Sequence, residues 1–300
     1  MTGLSISSSG IAVAQIVRDD SRTPVLKACQ FVATDEAGRA EALGKLIDDL
    51  GLTGSQCVNV LQPDTHSLLL IEAPDVQPAE LKAAVRWRIK DLINFHIDDA
   101  VIDVFEVPDQ GAPGRARLMY AVAARAAQIG EQVELVNDSE LNLDVVDIPE
   151  LALRNISALL DEDIRGMAML YFTDEGGVIT LTHQGALYLS RNLDVGMRDL
   201  AVADEAMRMA ALDKVVLEVQ RSLDYYESHF GQGGISQLVI APLSSEVTGM
   251  IPHFSANLGV AVSMLDLNNI LECEQALDAS LQSRCFTAIG AALRTEQKSL

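Results

Sequence analysis

The chain has 300 residues, 49% hydrophobic and 22% charged, which is enough to bury a large core in about two domains or one bilobed unit and excludes a disordered protein. Its 22 Lys and Arg against 43 Asp and Glu give a net charge of −21, which repels nucleic-acid phosphates and anionic lipid headgroups and disfavours both as direct partners. The opening MTGLSISSSGIAV has neither a basic nor an apolar leader region, and no window holds the roughly 18 uncharged apolar residues of a spanning helix, so a cytoplasmic protein with no membrane insertion is expected.

Taken in chain order, Gly3 to Val17 reads as two short apolar strands around the turn Ser7-Ser8-Ser9-Gly10, with a third strand at Val25 to Val32, an antiparallel meander. A helix from about Glu36 to Leu50 ends at Gly51 and is followed by apolar runs at Cys57 to Leu61 and Leu68 to Ile71. Pro74 and Pro78 break the pattern, and Pro78 suits the first turn of a helix running to about Ile93 with a core stripe of Leu81, Val85, Ile89 and Leu92. Alternation at Val101 to Val107, a turn at Asp109-Gln110-Gly111-Ala112-Pro113-Gly114 and a strand at Leu118 to Ala123 complete a small helix-strand-strand module. Gln128 to Asn137 reads as a helix and Leu143 to Ile148 as a strand returning to the first lobe.

The second half repeats this logic. Met167 to Phe172 and Val178 to Leu181 flank the turn Thr173-Asp174-Glu175-Gly176-Gly177, and Ala186 to Arg191 follows, so that two lobes each open on a meander, as an internal duplication would produce. Helices at about Asp213 to Glu227 and Leu281 to Thr295, with a buried strand at Leu238 to Ile240, complete an α/β lobe.

Residues able to carry chemistry are scattered. Cys29, Cys57, Cys273 and Cys285 lie far apart without CxxC spacing, which predicts reduced, mostly buried thiols and no metal site. His66, His96, His183, His229 and His253 show no nucleophile or metal-ligand spacing and read as surface or part-buried histidines. Lys82, Arg86 and Lys90 recur at i, i+4, i+8 beside the single Trp87, drawing a basic stripe on an acidic molecule. A solvated helix face with Trp87 packed in the module's core is one reading; a partner-binding edge anchored by Arg and Trp is the other.

The run WRIKDLINFHIDDAVIDVFEVP within the module, then VVDIPELALR at 145–154, GALYLSR at 185–191, EVQRSLDYY at 218–226 and AIGAALR at 288–294 resemble, in that order, the MshI/PilM family of type IV pilus assembly proteins in the actin-like ATPase superfamily. The resemblance spans nearly the whole chain. It implies an α/β, bilobed actin-like (ribonuclease H-like) fold with a small inserted α+β subdomain in the first lobe. The first lobe would be 1–76, completed by about 143–165 and the C-terminal helix; the insert 77–142; and the second lobe 166–300, with a reduced lid at about 196–235.

Actin-like ATPases bind nucleotide between the lobes on glycine turns that let backbone amides reach phosphate oxygens. Here the first motif, Gly-x-Asp-x-Gly, falls on Gly3, Ser5 and Ser7, and the second, Asp-x-Gly, on Tyr171 and Thr173. The adenine-side Ser-Gly-Gly falls on Ala241, Pro242 and Leu243. Gly3 is kept, but the first motif's Asp and second Gly, the Lys that follows it (here Ala12) and the residues of the other two motifs are replaced, which leaves degenerate phosphate turns at Ser5, Ser7, Ser8, Ser9, Thr173, Gly176 and Gly177, no catalytic residue and no expected cofactor. Weak residual Mg·ATP binding at Ser7 to Ser9 is the rival expectation. The family further implies a non-catalytic scaffold of a type IV pilus of the MSHA type, peripheral to the inner membrane through a PilN-like partner, with the assembly motor ATPase as a second partner. The partner's N-terminal peptide would meet Arg86, Trp87, Lys90 and Phe95. The other readings are an active ATPase gating assembly and the related platform domain of type II secretion, which normally continues into a membrane helix that this chain lacks.

Overall fold

The computed structural model describes residues 1–18, 23–108, 117–231 and 233–296. The turn expected at Asp109 to Gly114 lies outside the described residues.

Apolar alternation folds β1 (Thr2–Ser7), β2 (Gly10–Arg18) and β3 (Pro24–Ala33) into the expected antiparallel meander. Then come α1 (Arg39–Leu50), β4 (Gln56–Val60), β5 (His66–Glu72), α2 (Leu81–Ile89), β6 (Ala100–Glu106), β7 (Leu118–Arg125), α3 (Ala126–Asp138), β8 (Asn142–Asp147) and α4 (Pro149–Ser157). The second half supplies β9 (Met167–Phe172), β10 (Gly177–His183), β11 (Ala186–Leu193), α5 (Met197–Leu200), α6 (Glu205–Phe230), β12 (Gln237–Ile240), α7 (Met250–Asn257), β13 (Ala261–Met264), β14 (Glu272–Cys273) and α8 (Ala279–Ala292). Gly51 and Gly231 end α1 and α6 in the left-handed conformation, as glycine at that position does.

The duplication is visible in strand order. One sheet runs β14-β3-β2-β1-β4-β8 and the other β11-β10-β9-β12-β13. In each, an antiparallel meander is extended by two parallel strands on the side of its first strand. A separate small sheet, β5-β7-β6, is the inserted module. It takes β5, which the sequence reading assigned to the first lobe: all seven of its residues pair with β7, so the insert begins at about His66 instead of residue 77.

The two longer sheets are joined by exchange of helices. α4 follows a first-lobe strand yet packs under β9, β10 and β11, while α8 follows the second lobe and packs under β1 to β4. Together they fill a shared core with Ala12 and Ile16 of β2, Met167 and Met169 of β9, Leu153, Ile156, Phe286 and Ile289. The outer faces are closed by α1 and α3 over Leu4, Ile11 and Val13, and by α6 and α7 over Leu170, Ile179 and Ile240. The close fit rests on two glycines: a Cβ on Gly290 would stand 2.3 Å from the Ala152 carbonyl oxygen, and one on Gly3 would stand 1.9 Å from that of Ala288.

Several boundaries differ from expectation for local reasons. The module's helix opens as a 3-10 turn at Pro78–Glu80 and closes at Ile89, so Leu92 falls beyond it and is 58% exposed instead of joining the core stripe. α6 begins at Glu205, eight residues before the expected Asp213, because Asp204 caps it by accepting from the Met207 amide at 2.9 Å.

Gly290→Val is expected to lower unfolding free energy by about 3 kcal/mol, since the backbone of α4 cannot yield to a side chain at 2.3 Å. Gly44→Ala, in the middle of α1 with nothing within 4 Å of a new Cβ, is expected to raise it by about 0.5–1 kcal/mol. Urea denaturation of both variants checks the pair.

Candidate functional site

Three turns leave the carboxyl ends of β1, β9 and β12, where open α/β sheets bind ligands. The first is closed on its own side chains: the Ser7 hydroxyl donates to the Gly10 carbonyl at 3.1 Å, meets the Ser9 hydroxyl at 3.0 Å and accepts from the Ser9 amide at 3.3 Å. Arg39 reaches the Ser7 carbonyl at 3.1 Å, and Gln62 braces Ser5 at 3.4 Å and the Ile6 carbonyl at 2.8 Å. The second turn is also internally bonded. The Thr173 hydroxyl donates to the Gly176 carbonyl and accepts from the Gly176 amide, the Met197 amide donates to the Thr173 carbonyl at 2.9 Å, and Glu175 is paired with Arg198 at 2.7 Å.

Tyr171, at the position where the second motif would carry its acid, turns inward. Its ring stacks on Phe286 of α8 at 5.7 Å between centroids and 15° between planes. Burial pushes its hydroxyl up to about 12 against a hydrogen bond from Thr287. Beyond it, the third turn borders a cavity of about 840 Å³ between Pro242–Ile251, Met264–Asn268 and the start of α8. Its charged lining residues are Glu246 and Asp266, and it has no Lys, Arg or His.

The four residues predicted for partner binding divide into two pairs. Arg86 folds back from α2 to donate to the Ile97 carbonyl at 2.5 Å and the Ala100 carbonyl at 3.5 Å, bracing the loop into β6. Phe95 packs half-buried against the module's core, with the Arg125 guanidinium 4.5 Å over its ring. Trp87 points out instead, 72% exposed with the Lys90 ammonium 4.9 Å over its ring, so the reading that packs it in the core is wrong. The basic stripe is partly neutralised, since Lys82 meets Asp103 at 3.3 Å and Arg86 meets Asp98 at 3.4 Å.

The polar contacts that sequence reasoning missed cluster around α4. His66 is paired with Glu150 at 3.0 Å, with side chains 1% and 3% exposed, so of the surface and part-buried readings it is the part-buried one that applies, with the imidazole itself turned in. Arg294, just past α8, is paired with buried Asp147 at 2.5 Å, and Arg154 of α4 with Glu296. Burial raises the Asp147 pKa and Arg294 works against it. No sequence spacing announces these pairs, because their members lie 84, 147 and 142 residues apart. Among the described residues no cluster of three or more His, Cys, Asp or Glu is placed to hold a metal, and no helix is long and apolar enough to cross a membrane.

No sequence-family model matches the chain, and no curated protein matches it in sequence. Among solved structures, the PilM-PilN type IV pilus biogenesis complex is similar over 97% of this chain and 97% of its own, with a TM-score of 0.76 at 19% identity. The chain has the actin-like fold. Two further structures agree: a Bacteroides thetaiotaomicron protein with an actin-like ATPase fold and unknown function covers 90% of this chain and 91% of its own, at TM-score 0.51 and 7% identity. The cytoplasmic domain of EpsL, an inner-membrane component of the type II secretion system of Vibrio cholerae, covers 98% and 95%, at TM-score 0.52 and 12% identity. In this actin-like fold the stretch expected to form a reduced lid, about 196–235, holds α5 and the single long α6, with no strand among its described residues.

Arg86→Ala is expected to cost about 1 kcal/mol of stability, since it frees two carbonyls of the loop into β6. Trp87→Ala, at a 72% exposed position, is expected to change stability by less than about 0.5 kcal/mol. Thermal unfolding of the two variants side by side separates the brace from the exposed ring.

Proposed function

We propose that this protein is a non-catalytic scaffold of a type IV pilus assembly platform of the MSHA type, sitting on the cytoplasmic face of the inner membrane by holding the N-terminal peptide of a PilN-like membrane protein. The observation that carries this reading is the match to the PilM-PilN complex over 97% of both chains, insert included, at a TM-score well above that of the EpsL domain. The net charge of −21 is consistent with recruitment through a protein partner and not through anionic lipid. The exposed Trp87 and Lys90 of α2 are the pair we assign to the partner, with Arg86 and Phe95 bracing the platform beneath them. The assembly motor ATPase is a second partner in this reading.

The residues present do not fit Mg·ATP. Supporting this are turn groups engaged with one another instead of aimed outward, an aromatic ring stacked on α8 where an acid would orient a metal-bound water, and an adenine-side cavity lined by two carboxylates and no base. The first opposes a triphosphate through lost amide donors, the second through loss of the water-orienting acid and the third through like-charge repulsion. The same features stand against an active ATPase, and no observation favours the type II secretion reading over the pilus one.

Two measurements test the proposal. Excess Mg·ATP is expected to leave the melting temperature unchanged; a rise of about 2–4 °C that requires Mg²⁺ would return the protein to the nucleotide-binding class. A synthetic peptide of the PilN-like protein's cytoplasmic N-terminus is expected to bind the full chain and to lose at least about tenfold in affinity, or 1.4 kcal/mol, in Trp87→Ala. Undiminished binding in both Trp87→Ala and Lys90→Ala would remove these residues from the site, and no binding at all would remove the partner.

A further inference from the structure

The inserted module meets the crossing helix α4 at a buried polar contact that the proposed function does not use. His66 opens β5 and Glu150 stands in the first turn of α4. The imidazole Nε2 lies 3.0 and 3.2 Å from the two carboxylate oxygens of Glu150, and Nδ1 lies 3.2 Å from the Gln62 carbonyl oxygen. A carbonyl and an ionised carboxylate only accept hydrogen bonds, so both ring nitrogens must carry a hydrogen. Neutral imidazole carries one, and would set a lone pair against a lone pair at one of the two contacts. Both Glu150 oxygens face the one ring nitrogen, the arrangement of a carboxylate accepting from it, which places the second hydrogen on the ring.

We infer that His66 and Glu150 form a proton-dependent latch fastening the inserted module to α4, closed while the imidazole is doubly protonated and loosened when it loses that proton. The charged groups acting on the ring are Glu150 from α4 and, more weakly, Asp64 from the loop before β5, and both are acidic. Tyr120 of β7 feels the Glu150 charge, but its hydroxyl is engaged with β11. Arg125, next to the register partner Ala124, is turned onto Phe95.

Burial by itself lowers the imidazole's pKa; the Glu150 charge, its hydrogen bond and the Gln62 carbonyl outweigh it and leave the pKa raised. A group whose folded pKa is raised contributes its full stability below its unfolded value, about 6.5 for histidine, and loses it as pH rises through the folded pKa. The latch therefore opens on the alkaline side of about pH 6.5. It holds or fails independently of any partner bound at Trp87.

The test is a histidine-selective NMR titration of the full chain, with His66 assigned from His66→Gln. His66 is expected to titrate above the ordinary histidine value of about 6.5 in the native chain, and lower in Glu150→Gln, where only the Gln62 carbonyl and Asp64 still oppose burial. Titration at or below about 6.5 in the native chain overturns the latch, as does an unchanged value in Glu150→Gln. The native chain should also melt at least about 2 °C above Glu150→Gln at about pH 6, with the gap closing by about pH 9. An equal gap at both pH values would mark the contact as packing alone and overturn the proposal. Should Glu150→Gln not fold, the native titration decides by itself.

Discussion

Everything in this molecule hangs on the crossing of α4 and α8, where backbone meets backbone at Ala152 and Gly290. Each helix grows from one lobe and packs beneath the sheet of the other, so neither sheet has a complete core without the chain that belongs to its neighbour. Small residues make this possible. Ala152, Ala288, Gly290, Ala291 and Ala292 are fully buried, and Asn155 reaches the Gly290 carbonyl at 2.9 Å across the crossing. Without side chains between them the helices approach closely, and tight packing leaves little room for alternative arrangements.

The polar interior is arranged around the same crossing. Asp147 precedes α4 and meets Arg294 just beyond α8; Arg154 on α4 meets Glu296; Glu150 on α4 meets His66 of the insert. Where the carboxylate is buried, as Asp147 and Glu150 are, the pair contributes little net stability, but removing one partner leaves a charge that costs several kcal/mol, so these pairs enforce a particular arrangement of elements. Here they fix the lengthwise register of two helices whose contact surface, made of Ala and Gly, offers few knobs to do so. Asp147, Glu150 and Glu296 thus each face a basic side chain here, in a molecule whose composition is dominated by acidic excess.

How much of this was legible in the sequence follows from which interactions are local. The meanders were readable because alternation and turn chemistry act within ten residues, and the Gly51 end was readable because a left-handed cap is a property of one residue. The bilobed actin-like architecture came from ordered motif resemblance, and the strand orders agree with it. Misplaced features depend on distant partners. β5 reads as a first-lobe strand until β7, nearly fifty residues on, claims it. Helical periodicity placed Leu92 in the core, but α2 stops at Ile89 and the periodicity ends with it. Trp87 was drawn inward by its hydrophobicity, although on this helix Val85 and Ile89 already fill the buried face. α4, the element on which the fold turns, entered only as part of a quoted motif and was not read as a helix, because its charged partners Glu296 and His66 lie far along the chain.

The hydroxyl of Tyr120 touches the second lobe at two points, receiving the Ser190 amide at 3.1 Å and donating to the Tyr188 carbonyl at 3.3 Å, with Phe105 stacked against its ring. These are backbone groups of β11, the outermost strand of its sheet, so a side chain from the insert blunts an edge that would otherwise be open to another chain. The insert, though threaded into the first lobe, thereby becomes a strut between the two. A twisting motion of one lobe against the other must either carry the strut along or break those two bonds, which makes the whole body stiffer in torsion than two lobes joined by a hinge alone.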